Sequence, residues 1–180
     1  MSVEKEKITP RGVLLAQETQ KAVSEWAARR KKADQDAKTK SGGRPRPQRE
    51  KRQIYQNNSA NRGEFIGQKI AHLLPEEGFS QLLGNHINSC LQGRDISGQL
   101  EEIGQGLVSL SEEQLGLVFQ FYQLRQGFTR NPEQADLTRQ QIEAFNLEFL
   151  DQIPETGFLP GLFRTISNRY PDPKSLKKTK

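Results

Sequence analysis

The sequence predicts an all-α protein: a compact bundle of about five short helices with a basic, largely disordered N-terminal arm containing one amphipathic helix. Three observations carry this reading. Apolar residues after position 62 recur at helical spacing and nowhere alternate in twos as a strand would. All nine Phe lie between Phe65 and Phe163, whereas residues 1–62 contain only Trp26 and Tyr55 as aromatics. Charge divides at the same place: residues 1–62 hold 16 Lys/Arg against 7 Asp/Glu, and residues 63–163 hold 5 against 14. A segment so poor in large apolar groups cannot offset the ~1–2 kcal/mol per residue of backbone ordering entropy. These boundaries define four regions: an amphipathic basic helix (1–33), a disordered basic linker (34–62), an acidic helical domain (63–163) and a basic C-terminal tail (164–180).

The N-terminal helix starts at Thr9-Pro10, a good cap and first-turn pair. Leu15, Thr19, Ala22 and Trp26 recur at steps of four, three and four and fall on one narrow face. Arg29, Arg30, Lys31 and Lys32 supply the positive charge expected at a helix C-terminus. So thin a stripe is marginal alone and gains stability by docking, either on its own domain or in a partner's groove, with Leu15, Ala22 and Trp26 as anchors. In the linker, Ser41-Gly42-Gly43 breaks regular structure and Arg44-Pro45-Arg46-Pro47 favours an extended chain.

The domain reads as successive helices. Gly63 to Leu74 forms the first. Pro75 opens the second, where Phe79, Leu82, Leu83, His86, Ile87, Cys90 and Leu91 keep helical spacing until Gly93. The third begins near Asp95 and carries Ile96, Leu100, Ile103, Leu107 and Leu110; Gly98, Gly104 and Gly106 weaken it or mark close helix contacts. Ser111-Glu112-Glu113-Gln114 is a capping box for the fourth, which is apolar nearly all round and is expected to be central, ending at Gly127. Asn131-Pro132 starts the fifth, with Ile142, Phe145, Phe149 and Leu150 expected inside. Phe158 to Ile166 adds a short helix before the tail.

Most enzyme chemistry is missing, so no catalytic residue, metal ligand set or cofactor is assigned. His86 and Cys90 have ligand-compatible spacing, yet a core histidine beside a core thiol explains the same pair. Ser89 and Cys90 lack the turn that activates a nucleophile. Ile103-Gly104-Gln105-Gly106 lacks the third glycine and preceding strand of a phosphate loop. The pairs Glu76-Glu77 and Glu112-Glu113 stand at helix starts, where negative charge is favoured, and Glu101-Glu102 on a solvent side.

The basic arm has the clearest functional content. Arg29, Arg30, Lys31, Lys32, Lys38, Lys40, Arg44, Arg46, Arg49, Lys51 and Arg52 suit phosphate neutralisation without sequence specificity. Aromatic interleaving is absent, so a base-stacking platform is not expected. On the body, Val118, Phe119, Phe121 and Tyr122 are more large apolar groups than one helix of a small bundle normally buries. They form either a partner or self-association surface or a helix packed on all sides. The expectation is therefore a non-catalytic adaptor or accessory subunit, docking a protein through its helical domain and nucleic acid or another polyanion through its arm. The alternative is a protein-only scaffold whose N-terminal helix fills a partner groove and whose arm associates with an acidic domain. Neither a membrane nor a small-molecule substrate is expected. A single cysteine and the lack of a signal-type apolar stretch suggest the cytoplasm, or the nucleus in a host that has one.

Overall fold

The computed structural model describes residues 9–41, 61–93 and 95–177. These residues are helical, and no strand occurs among them. The helices are α1 (Arg11–Ser41), α2 (61–70), α3 (Glu77–Cys90), α4 (Ile96–Val108), α5 (Glu112–Arg130), α6 (Ala135–Phe149), α7 (Phe158–Arg169) and α8 (Pro173–Leu176). They form two compact units, Met1–Val108 and Ser109–Lys180. The compositional border at residue 62 falls within the first of these units.

In the N-terminal unit, α1 belongs to the fold. It packs along α4, and Leu15, Thr19, Ala22 and Val23 are buried. The helix also continues past Lys32 to Ser41, so the linker expected from residue 34 begins as helix. Ala33, Gln35, Ala37 and Lys38 are all compatible with helix, and the strong breakers Gly42-Gly43 come only afterwards. The remainder of that linker, residues 42–60, lies outside the described residues.

α2 passes into a 3-10 turn (Ala71–Leu73) and stops at Leu74, which is extended (φ −123°, ψ 153°), as a residue before proline prefers. Where α2 crosses α3 the two backbones touch. A Cβ on Gly84 would stand 2.5 Å from the Gly67 nitrogen and 2.6 Å from the Gly63 carbonyl oxygen. Glycine at 63, 67 and 84 is what permits this approach; a Cβ on Gly104, which the sequence reads as weakening its helix or marking a close contact, would meet nothing within 4 Å. Arg62 joins the same helices. Its Nε donates to Asn88 Oδ1 at 2.6 Å, and a terminal nitrogen donates to the Leu91 carbonyl at 2.8 Å, which satisfies an acceptor at the end of α3. Gly93, at φ +93°, turns the chain after it.

In the C-terminal unit α5 is central, packing on both α6 and α7. Its start is the expected capping box: Gln114 N donates to Ser111 Oγ, and Ser111 N to Gln114 Oε1, each at 3.1 Å. The helix does not end at Gly127 but at Arg130. Gly127 lies where α6 crosses, and a Cβ there would meet Thr138 Oγ1 at 2.8 Å. The core is aromatic, with the Phe121 ring 5.5 Å from Phe145 and 5.0 Å from Phe163. The region from 164 onward is not a simple tail. Ile166 is fully buried, Tyr170 meets Tyr122 edge-on at 5.8 Å, and Asp172 caps α8 by accepting from Lys174 N.

Candidate functional site

The basic region expected to meet a polyanion starts on an ordered helix. The inner face of α1 uses its large apolar groups early and ends with Trp26, whose ring lies 5.5 Å from Phe65 on α2. The Arg29 guanidinium sits 4.9 Å and the Lys69 ammonium 5.3 Å from the centre of the Phe65 ring. Glu25 ties the edge of this cluster, accepting from Arg29 at 2.8 Å and pairing with Lys69 at 3.2 Å. The Lys69 hydrogen bond holds the Glu25 carboxyl below its ordinary value.

Beyond Trp26 the inner stripe loses its large apolar groups and continues as Arg30, Ala33 and Ala37. Almost every described side chain from Ala27 to Thr39 is exposed; Arg30 and Ala37 are half-buried. Lys31 and Lys38, seven residues apart, share a face about 10.5 Å apart along the axis, and Lys32 stands to one side. Arg29 is exposed but already engaged with Glu25 and Phe65. Arg30 adds positive charge beside half-buried Arg62, whose pKa is lowered by burial and then by that neighbour. The structure thus brings Arg29, Arg30, Lys31, Lys32 and Lys38 onto one helix. The Lys40 side chain and Arg44, Arg46, Arg49, Lys51 and Arg52 lie outside the described residues.

The apolar residues proposed as partner anchors are placed differently. Leu15 and Ala22 are buried, and half-buried Trp26 is packed on Phe65, so the N-terminal helix spends its stripe inside its own chain. Val118, Phe121 and Tyr122 are likewise core, and half-buried Phe119 stacks on Tyr122 at 6.1 Å. α5, which carries these residues, is packed by α6 and α7. Leu150, expected inside, is 62% exposed. It opens the 3-10 turn (Leu150–Gln152) that follows α6, and with exposed Leu137, Ala144 and Leu147 on α6 it makes a row of apolar side chains at steps of seven, three and three.

His86 and Cys90 do meet, Nε2 to Sγ at 3.9 Å. Burial pushes the imidazole down to about 4, so it is neutral at physiological pH. Burial, and then the charge of Glu102, raises the thiol, the opposite of what an activated nucleophile needs. Ser89 donates its hydroxyl to the Asn85 carbonyl at 2.9 Å, as helix serines commonly do. Among the described residues no three His, Cys, Asp or Glu side chains converge on a metal-sized site, and no helix is long and apolar enough to cross a membrane. Compared with models of protein families, with curated proteins and with solved structures, the chain matches none.

Proposed function

We propose that this chain is a non-catalytic accessory protein that holds nucleic acid, or a similar polyanion, through the distal half of α1 and the basic sequence that follows it. One observation supports this above others. A helix whose first half is buried in its unit continues for more than three turns with solvent on nearly all sides, presenting Lys31, Lys32 and Lys38. Lysines on a preformed helix neutralise phosphates with less ordering cost than the same residues on a coil. Eleven Lys/Arg between Arg29 and Arg52, against Asp34, Asp36 and Glu50, extend the charge along the chain. No aromatic residue occurs between Arg29 and Arg52, and lysines spaced along one helix suit phosphates, which favours backbone contact without sequence preference.

Fluorescence anisotropy with labelled duplex DNA, duplex RNA and single strands of mixed sequence tests the reading. Log affinity should fall linearly with log salt, by ~0.7–0.9 per phosphate neutralised. Lys31→Glu/Lys32→Glu/Lys38→Glu should weaken binding at least ~10-fold and lower that slope, while circular dichroism stays unchanged. Salt-independent binding, or an unaltered slope in the triple variant, overturns it.

A further inference from the structure

We infer that the outer face of α6 is a docking site for a basic amphipathic helix of a partner protein. Among the described residues the exposed large hydrophobic side chains are Val108, Leu137, Leu147, Leu150 and Leu176; Leu137 and Leu147 stand on the outer side of α6, and Leu150 opens the 3-10 turn that follows it. Leu147 is 89%, Leu150 62% and Leu137 49% exposed. With exposed Ala144 they run along α6 and into the turn after it at the seven- and three-residue steps by which helix contacts are normally read. The opposite side of α6 already has its partner, since Thr138, Ile142 and Phe145 are buried and Phe145 packs on Phe121 and Phe163. The stripe is thus a second apolar face, on a helix that needs only one to fold.

Charge identifies the occupant. Residues 131–157 carry six Asp/Glu and a single basic residue, Arg139. Arg139 is committed to Asp136 and Asp172. At 100° per residue, Glu143 and Glu148 fall on either side of the Ala144–Leu147 line, with Asp151 one turn beyond. Neither glutamate makes an ion pair among the described residues, whereas Asp136 does. Two copies of such a face would place carboxylates against carboxylates, which costs binding energy. Nor, among the described residues, does a second copy offer a matching basic surface: the exposed half of α1 is basic but has only alanine for apolar contact, and α8 has one leucine in four residues. A foreign helix with lysine or arginine flanking large apolar residues satisfies both the leucines and the glutamates.

The test uses full-length protein labelled for NMR and three synthetic peptides: an amphipathic Leu/Lys helix, a scrambled peptide of the same composition, and a Leu/Glu counterpart. The first should give saturable shifts confined to residues 137–151. Leu147→Ser/Leu150→Ser should weaken it at least ~10-fold, and Glu143→Lys/Glu148→Lys should weaken it and admit the Leu/Glu peptide. All four positions are solvent-facing, so the fold survives, which circular dichroism checks. The triple-lysine variant of α1 should bind the first peptide normally, so this site stands or falls apart from the polyanion reading. Equal binding of the scrambled peptide, indifference to Leu147→Ser/Leu150→Ser, or a concentration-dependent dimer abolished by Leu147→Ser overturns the inference.

Discussion

Arg139 holds Asp172 by two parallel hydrogen bonds, Nε to Oδ2 at 2.7 Å and a terminal nitrogen to Oδ1 at 2.8 Å. The pair joins the middle of the C-terminal unit to its last helix, because Asp172 also caps α8. Asp136 shares Arg139 and reaches Lys174, which closes a network across α6 and α8.

The Arg139 hydrogen bonds lower the Asp172 carboxyl to about 2, against an unfolded value of ~3.9. A depressed carboxyl contributes stability that is present above the unfolded value and lost as pH falls through the folded one. Asp172→Asn isolates this charge, since asparagine caps a helix as well as aspartate does. The variant should unfold about 3 °C lower than the parent at neutral pH, with the gap closing as pH falls from ~4 towards 2. Thermal melts across that range check it; a pH-independent gap would mean that the charge pair contributes nothing.

Gly84 sits against the backbone of α2, where no side chain can rotate aside. Gly84→Ala should therefore cost about 3 kcal/mol, the upper part of the usual overpacking range. Gly104, inside α4 with no atom within 4 Å of an added Cβ, predicts the reverse: Gly104→Ala should stabilise by ~0.5–1 kcal/mol. Urea unfolding of the two variants separates a helix crossing from a merely flexible residue.

These glycines also show where the sequence could and could not be read. The capping box at Ser111 was legible because it needs only local chemistry. The crossing of Gly63, Gly67 and Gly84 was hidden, because counting apolar side chains ignores residues that pack by having none. The end of α1 was misplaced by giving Arg29–Lys32 the weight of a stop, although end charge is worth only ~0.3–1 kcal/mol and no breaker stands before Gly42. Leu150, at the end of the α6 pattern, misled for another reason. An apolar residue on α6 has the same sequence signal whether its face meets the core or solvent, and only the placement of Phe145 against Phe121 decides which.

Trp26 is the chain's single tryptophan and reports on how α1 is held. Its packing on Phe65, supported by Arg29 and Lys69 over the same ring, joins α1 to α2. Trp26→Ala should cost about 2 kcal/mol, roughly half the usual loss for a fully buried tryptophan. In the parent, Trp26 emission should shift to longer wavelength together with the loss of helical circular dichroism. An earlier fluorescence shift would show α1 detaching before its unit melts.

His86 gives the chain a second acid sensitivity, separate from Asp172. Burial lowers it to about 4, whereas the unfolded imidazole titrates near ~6.5. The unfolded state therefore binds the extra proton first as pH falls. Stability from neutral His86 is fully present above ~6.5 and drains away between there and about 4. A difference of this size corresponds to ~2–3 kcal/mol once some relaxation of the buried site is allowed. Urea denaturation at pH 7 and pH 4.5 should show that loss in the parent. His86→Leu, which keeps an apolar group of similar bulk beside Ile87 and Cys90, should flatten the dependence in this window. An NMR titration of His86 with a midpoint near 6.5 would contradict the burial argument directly, because an imidazole that charges so readily is not desolvated.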